Sequence, residues 1–257
     1  FRPRSASNDP WAFPGAEEFQ DEFATYSNSE GFLEKPDQWL SRLKADIVIG
    51  FFGFNESFQG KEKLQNFKDE LEAWVIHSKA QQYNGKSAPQ LALVSPIAFE
   101  DLSASIDVPN GKKENESLKL YTEAMAEVAK KHELVFVDAF SASQKWYDSN
   151  ENPLTIDGSQ MNEEGYQIFG EFLADKLFGK EDRKASANLE LIHQAVMEKN
   201  WLWHNDYKIP NGVHVYGRRY DPFGPDNYPF ELEKIRQMTT IRDTAIWEAN
   251  QGRIKDL

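Results

Sequence analysis

Three short, continuously apolar runs recur along the chain: "DIVIGFF" (Asp46 to Phe52), "QLALVSP" (Gln90 to Pro96) and "LVFVD" (Leu134 to Asp138). Runs of this kind, lacking the polar alternation of a half-exposed strand, suit strands buried on both faces. In the segments between them Leu64, Phe67, Leu71, Trp74, Val75 and Ser78 fall on one face at helical spacing, as do Leu118, Tyr121, Met125 and Val128. Strand, helix, strand, helix, strand in that order requires right-handed crossovers. The sequence therefore predicts an α/β fold whose parallel sheet is covered by helices on both sides. A further helix carries Tyr166, Phe169, Phe172, Leu173 and Leu177, and Pro36 opens a short one over Asp37 to Lys44.

Outside this alternation the chain changes character. Residues 1–36 read as an irregular segment, in which "NDPWAFPG" is punctuated as a loop by Pro and Gly. The α/β domain is expected over 37–180 and a C-terminal helical and aromatic-rich appendage over 181–257. In that appendage a helix over roughly Ser186 to Lys199 bears Leu189, Ile192 and Val196. An aromatic, turn-rich stretch follows, "NWLWHNDYKIPNGVHVYGRRYDPFGPDNYPF", and then a final helix with Ile235, Met238, Ile241, Ala245 and Ile246.

Composition excludes several functions. A net charge of -13 argues against a nucleic-acid partner, which needs a basic patch to meet phosphates. The runs at Lys61 to Lys63 and Arg218–Arg219 read as solvated surface. The absence of cysteine rules out disulfides and thiolate metal sites and leaves the compartment open. No apolar run approaches the roughly 20 residues of a transmembrane segment. At 257 residues the chain can bury one large core, with or without an appendage.

Ligands of open parallel sheets bind beyond the carboxyl ends of the strands, which gives "GFNE" after the first apolar run a location. Gly53 lets a backbone N–H approach a ligand, and the Asn55 amide supplies a second donor, the ingredients of an oxyanion hole. The alternative is a plain strand-to-loop turn, in which Gly and Asn are common. Glu56, Glu100 and Asp101 lie at or just after strand ends, with Asp138 and Asp157 further along. A paired-carboxylate or hard-cation site is conceivable there. An acidic chain also gathers such residues without a site, so no metal and no cofactor is assigned.

A second stretch, "PLTIDGSQMNEEGYQIFG" (Pro153 to Gly170), runs from beyond the last expected strand into a helix. It resembles the block of the SGNH (GDSL-type) hydrolases that carries Asp and His three residues apart before a helix. In that family successive blocks provide a Ser nucleophile after the first strand, a Gly, a Gly-x-Asn and an Asp-x-x-His. Gly53-Phe54-Asn55 matches the third block, and Asp157 with Gly165 and Tyr166 matches the fourth. The pattern covers about Lys35 to Gly179. The stretches "ADIVIGFFGFNESF", "YNGKSAP", "SPIAFEDL" and "VYGRR" resemble one bacterial subgroup, whose members are often encoded in longer chains with further modules.

The resemblance implies a flavodoxin-like, three-layer sheet of the SGNH type and ester hydrolysis, including carbohydrate acetyl esters. Gly53 and Asn55 become oxyanion donors and Asp157 the orienting carboxylate. The family's His position holds Gln160, which cannot take a proton from a serine. The nucleophile block has no counterpart, since residues 1–36 contain no apolar strand. The expectation is an N-terminally incomplete domain, part of a longer protein whose preceding strand would lie beside Asp46 to Phe52 and relieve a sheet edge. The resemblance leans toward export or the periplasm. A reading of a different class is a non-catalytic module that binds a small-molecule or carbohydrate ester ligand in the old cleft.

Other side chains offer no replacement set. No serine sits in a Gly-x-Ser-x-Gly elbow. Ser57 reads as a helix cap, Ser95 as a strand terminator, and Ser141 and Ser159 fall on later loops. His77 and His193 lie in expected helices, His132 at a helix end, and His204 and His214 in the aromatic tail. There Trp201, Trp203, Tyr207, Tyr216 and Tyr220 either stack on sugar rings or cover a core.

Overall fold

In the computed structural model the three apolar runs are strands β1 (Ile47–Phe51), β2 (Gln90–Val94) and β3 (Val135–Val137), paired in parallel in the order β1-β2-β3. Ile47 lies opposite Gln90 and Phe51 opposite Val94, while Ala92 lies opposite Val135 and Val94 opposite Val137. The structure describes residues 36–180, 188–207 and 227–253, which fall into two compact units, 36–180 and the described residues from 188 onward.

Helices α1 (Pro36–Leu43), α2 (Phe54–Ser57), α3 (Leu64–Lys79), α4 (Lys112–Lys131), α5 (Ala139–Ser149) and α6 (Glu163–Phe178) complete the first unit, with a single 3₁₀ turn at Lys61–Lys63. Alternate residues of a strand serve opposite faces, and β2 shows it. Leu91 and Leu93 join a cluster with Phe67, Leu71 and Val75 of α3 and Tyr121, Met125 and Val128 of α4. Val94 joins Val137 and Ala139 in a second cluster, on which Phe169, Phe172, Leu173 and Leu177 of α6 pack. Phe52 sets its ring edge-on to Trp74, with centroids 5.0 Å apart, and the buried Tyr121 donates to the Gly60 carbonyl at 2.9 Å.

Tyr166 departs from the expected apolar face of α6 and is 62% exposed. The helix start is fixed elsewhere: Gly165 is buried so closely against Leu154 that a Cβ would stand 2.2 Å from its carbonyl oxygen. Among the described residues β1 pairs with β2 alone, and its Ile47 and Phe51 remain partly exposed.

The second unit contains α7 (Leu189–Tyr207) and α8 (Tyr228–Asn250), which pack antiparallel. Asn188 donates to the Ala249 carbonyl at 2.9 Å, Glu198 pairs with Arg242, and Asp206 pairs with Arg236. Ala195, Leu202 and Asp206 on α7 and Leu232, Thr239 and Ala249 on α8 are buried. Two expectations fail here. Helix α7 continues through "NWLWHNDY", so Trp201, Trp203 and His204 are helical. Leu189 and Ile241, expected to face inward, are largely exposed. The seam selects positions three and four apart that meet the partner helix, and it encloses Leu202 and Leu232 together with the smaller Ala195, Thr239 and Ala249. The "VYGRR" stretch, Tyr216, Tyr220, His214 and the first 35 residues lie outside the described residues.

Leu71→Ala, which removes a side chain only 1% exposed from the main cluster, is expected to cost about 2–5 kcal/mol of stability. Ile76→Ala, on the exposed side of the same helix, is expected to stay within about 0.5 kcal/mol. Urea unfolding followed by tryptophan fluorescence measures both, and equal losses would contradict the assigned faces.

Candidate functional site

Beyond the carboxyl end of β1 the buried Phe52 leads into Gly53, which has φ +94, a conformation that strains any residue with a Cβ. A Cβ there would also stand 3.1 Å from the Met125 sulfur. The Gly53 N–H donates to Glu56 Oε2 at 3.0 Å. Gly53 thus makes the turn into α2, and its own α2 carboxylate takes its N–H. Asn55 sits in α2 and is exposed. Ser57 is the last residue of α2 and donates back to the Phe54 carbonyl at 2.6 Å, so it is not an N-terminal cap.

The Asp157 block forms a tight loop. Thr155 and Met161 form an antiparallel bridge, the Ile156 N–H donates to the Gln160 carbonyl at 2.8 Å, and the Asn162 N–H donates to the Leu154 carbonyl at 3.0 Å. Asn162 then caps α6, accepting from the Gly165 N–H at 2.9 Å. At the tip Asp157 Oδ1 accepts from the N–H groups of Ser159 and Gln160, both at 2.8 Å, and from Ser159 Oγ at 3.0 Å. Its other oxygen accepts from Gln160 Nε2 at 3.2 Å. The Ser159 backbone N–H is the largest of the influences that hold the Asp157 carboxyl below its usual range; the Gln160 N–H and the side chains of Ser159 and Gln160 act in the same direction.

Glu100 fastens this loop to the segment after β2. It is 7% exposed. Its carboxylate accepts from the Leu154 N–H at 3.1 Å, the Thr155 N–H at 2.8 Å and the Thr155 hydroxyl at 2.6 Å. In return the Glu100 N–H donates to the Gly158 carbonyl at 2.9 Å, and the Gly158 N–H donates to Thr155 Oγ1 at 3.1 Å. Gly158 has φ +87, and a Cβ on it would stand 2.2 Å from the Phe99 ring. Phe99 is itself held by both ends of the Asn115 amide, at 2.7 and 2.9 Å. Burial pushes the Tyr147 phenol up, and the Glu100 charge adds to it; the hydroxyl donates to the Ala98 carbonyl at 3.0 Å. One loop therefore touches both blocks, with Pro96 against Gly53 and Phe99 and Glu100 against Gly158.

Each remaining carboxylate singled out above serves local structure. Asp101 accepts from the N–H and hydroxyl of Ser103. Asp138 accepts from the N–H and hydroxyl of Ser141 at the start of α5. Among the described residues no group of three or more His, Cys, Asp or Glu is arranged to hold a metal ion. Ser95 and Ser143 are buried and receive the N–H groups of Phe140 and Ala98. His77 lies 2.7 Å from Asp37 and His132 lies 2.9 Å from Glu72, so neither pairs with Asp157. A groove of about 290 Å³ opens beside α2, lined by Phe54, Ser57, Phe58, Phe99 and Leu118 among others.

The role of Glu100 escaped the sequence reading, which placed it only among acidic residues near strand ends. A signal was present. Glu100 closes the apolar segment "PIAF" with no basic residue near it in sequence, the mark of a carboxylate that must find its donors elsewhere.

No family model matches the chain, and no curated protein matches it significantly. Among solved structures it is similar to a catalytic mutant of Axe2, an acetylxylan esterase from Geobacillus stearothermophilus, at 17% identity and a TM-score of 0.42. It is also similar to a second Axe2 mutant, described as an acetyl-xylooligosaccharide esterase from Geobacillus, at 18% identity and a TM-score of 0.44. The matches cover 54% and 56% of this chain and 62% and 64% of those structures, less than two thirds of their length.

Because the Asp157 carboxyl is held low in the folded chain, its contribution to stability is present above the unfolded carboxyl value of about 4 and is lost as pH falls through the lower folded value. Asp157→Asn is expected to be less stable than the parent at pH 6, with the difference shrinking as pH falls below about 4. Thermal unfolding across that range measures it, and a pH-independent difference would contradict the assignment.

Proposed function

We propose that the 36–180 unit is a three-layer SGNH-type scaffold of ester-hydrolase ancestry that holds an ester-bearing small molecule or carbohydrate without turning it over. One observation carries this reading: Gln160 donates its side-chain amide to Asp157 where the family pattern places a histidine. The orienting half of the relay persists. An amide nitrogen has no basic lone pair at neutral pH, so the proton-accepting half is gone.

In this reading the exposed Asn55 amide supplies the donor for the ligand's carbonyl oxygen. Gly53 shapes the turn that presents it, its own N–H being engaged by Glu56. The groove beside α2 offers aromatic and hydroxyl surface next to that position. Acetylated xylo-oligosaccharides are the first ligands to try, because the Axe2 esterases are described as acting on acetylated xylan and its oligosaccharides.

The full-length protein is expected to bind an acetylated xylo-oligosaccharide in calorimetry, more weakly after Asn55→Ala, and to leave p-nitrophenyl acetate at the background rate. In a chain that also carries the family's serine nucleophile, Gln160→His is expected to raise hydrolysis by roughly 100-fold or more, the range of a positioned general base, and Gln160→Ala is not. Asn55→Ala in the Gln160→His background should then remove about 100-fold, the worth of one oxyanion donor. Turnover by the parent protein well above background would sink the proposal.

A further inference from the structure

We propose that Glu100 is a positioning residue for the Asp157–Gln160 pair, acting entirely through the backbone and the Thr155 hydroxyl; this rests on reading that pair as the remnant of a proton relay. The contacts bracket Asp157 on both sides. Two residues before it, Thr155 gives Glu100 both its N–H and its hydroxyl. One residue after it, Gly158 gives its carbonyl to the Glu100 N–H and its own N–H to the Thr155 hydroxyl. The circuit closes on itself, from the Glu100 carboxylate through Thr155 and Gly158 back to the Glu100 backbone. Asp157 lies inside it.

A carboxylate suits this place and its amide does not. Leu154 N–H, Thr155 N–H and Thr155 O–H are all donors converging on the two oxygens. A glutamine would present an NH₂ to at least one of them, setting donor against donor. Burying an acceptor of this strength is costly unless every lone pair is used, and among the described residues no cation pairs with Glu100. The three donors belong to residues two and three positions before Asp157. The compensation for burying Glu100 and the placement of Asp157 are therefore one set of hydrogen bonds.

The test uses the full chain carrying Gln160→His, with ¹⁵N-detected titration of the introduced imidazole, so no catalytic activity is required. Beside Asp157 that imidazole is expected to titrate roughly one pH unit above the ordinary histidine value, and Asp157→Asn should remove the rise. Adding Glu100→Gln should remove at least half of the rise while the core amide signals stay dispersed. Thr155→Val, which deletes the hydroxyl link, should do the same, and Thr155→Ser should preserve the rise. If Glu100→Gln fails to fold, the Thr155 pair carries the test. A full rise in a folded Glu100→Gln or Thr155→Val protein overturns the positioning role while leaving the pair intact. No rise in the Gln160→His parent overturns the pair itself, and the positioning role with it.

Discussion

A buried carboxylate, Glu100, which pairs with no cation among the described residues, fixes the geometry on which the candidate site depends. Its three donors come from a loop more than fifty residues further along the chain, and each is a group that would otherwise need a partner of its own. The segment after β2 is immobilised in turn. Asn115 of α4 clamps the Phe99 backbone, Ser143 of α5 takes the Ala98 N–H, and Ser95 takes the Phe140 N–H. Glycine at 158 then lets the Asp157 loop close onto the Phe99 ring. Sheet, helices and loop are joined at one polar seam rather than by apolar packing alone.

The parts of this arrangement differ in how far they could be read from the sequence. The three strands were legible because "DIVIGFF", "QLALV" and "LVFVD" are continuously apolar and short enough to exclude helices, although burial on both faces holds only for β2, since Ile47, Phe51 and Val135 stay partly exposed. The buried faces of α3 and α4 were legible because each packs on the sheet through one stripe. The α7–α8 pair was read poorly. Its seam encloses Leu202 and Leu232 together with alanine, threonine and Asp206, while Leu189, Trp201 and Ile241 stay outside, so hydrophobicity finds only part of it. At the site, Asp157 and Gln160 were singled out only through the family resemblance, and the structure places them in contact. The capture of the Gly53 N–H by Glu56 and the anchoring by Glu100 were not legible, because both depend on which backbone donors the fold brings to a carboxylate.

The polar network also gives a physical reason for a glutamine at position 160. Asp157 accepts four hydrogen bonds in the loop, and Gln160 supplies two of them, one from its backbone and one from its amide. An apolar residue there would leave Asp157 Oδ2 to water, since the Gln160 amide contact is exposed. Gln160 supplies a donor to each Asp157 oxygen and carries no basic nitrogen.

Native-state amide hydrogen exchange on the 36–180 unit tests the central claim most directly. If Glu100 ties the Asp157 loop to the core, the N–H groups of Leu154, Thr155 and Gly158 exchange only as slowly as those of Leu93 and Met125, through unfolding of the whole unit. Exchange of those three amides at the rate of the exposed turn at 84–87, while Leu93 and Met125 remain protected, would contradict it.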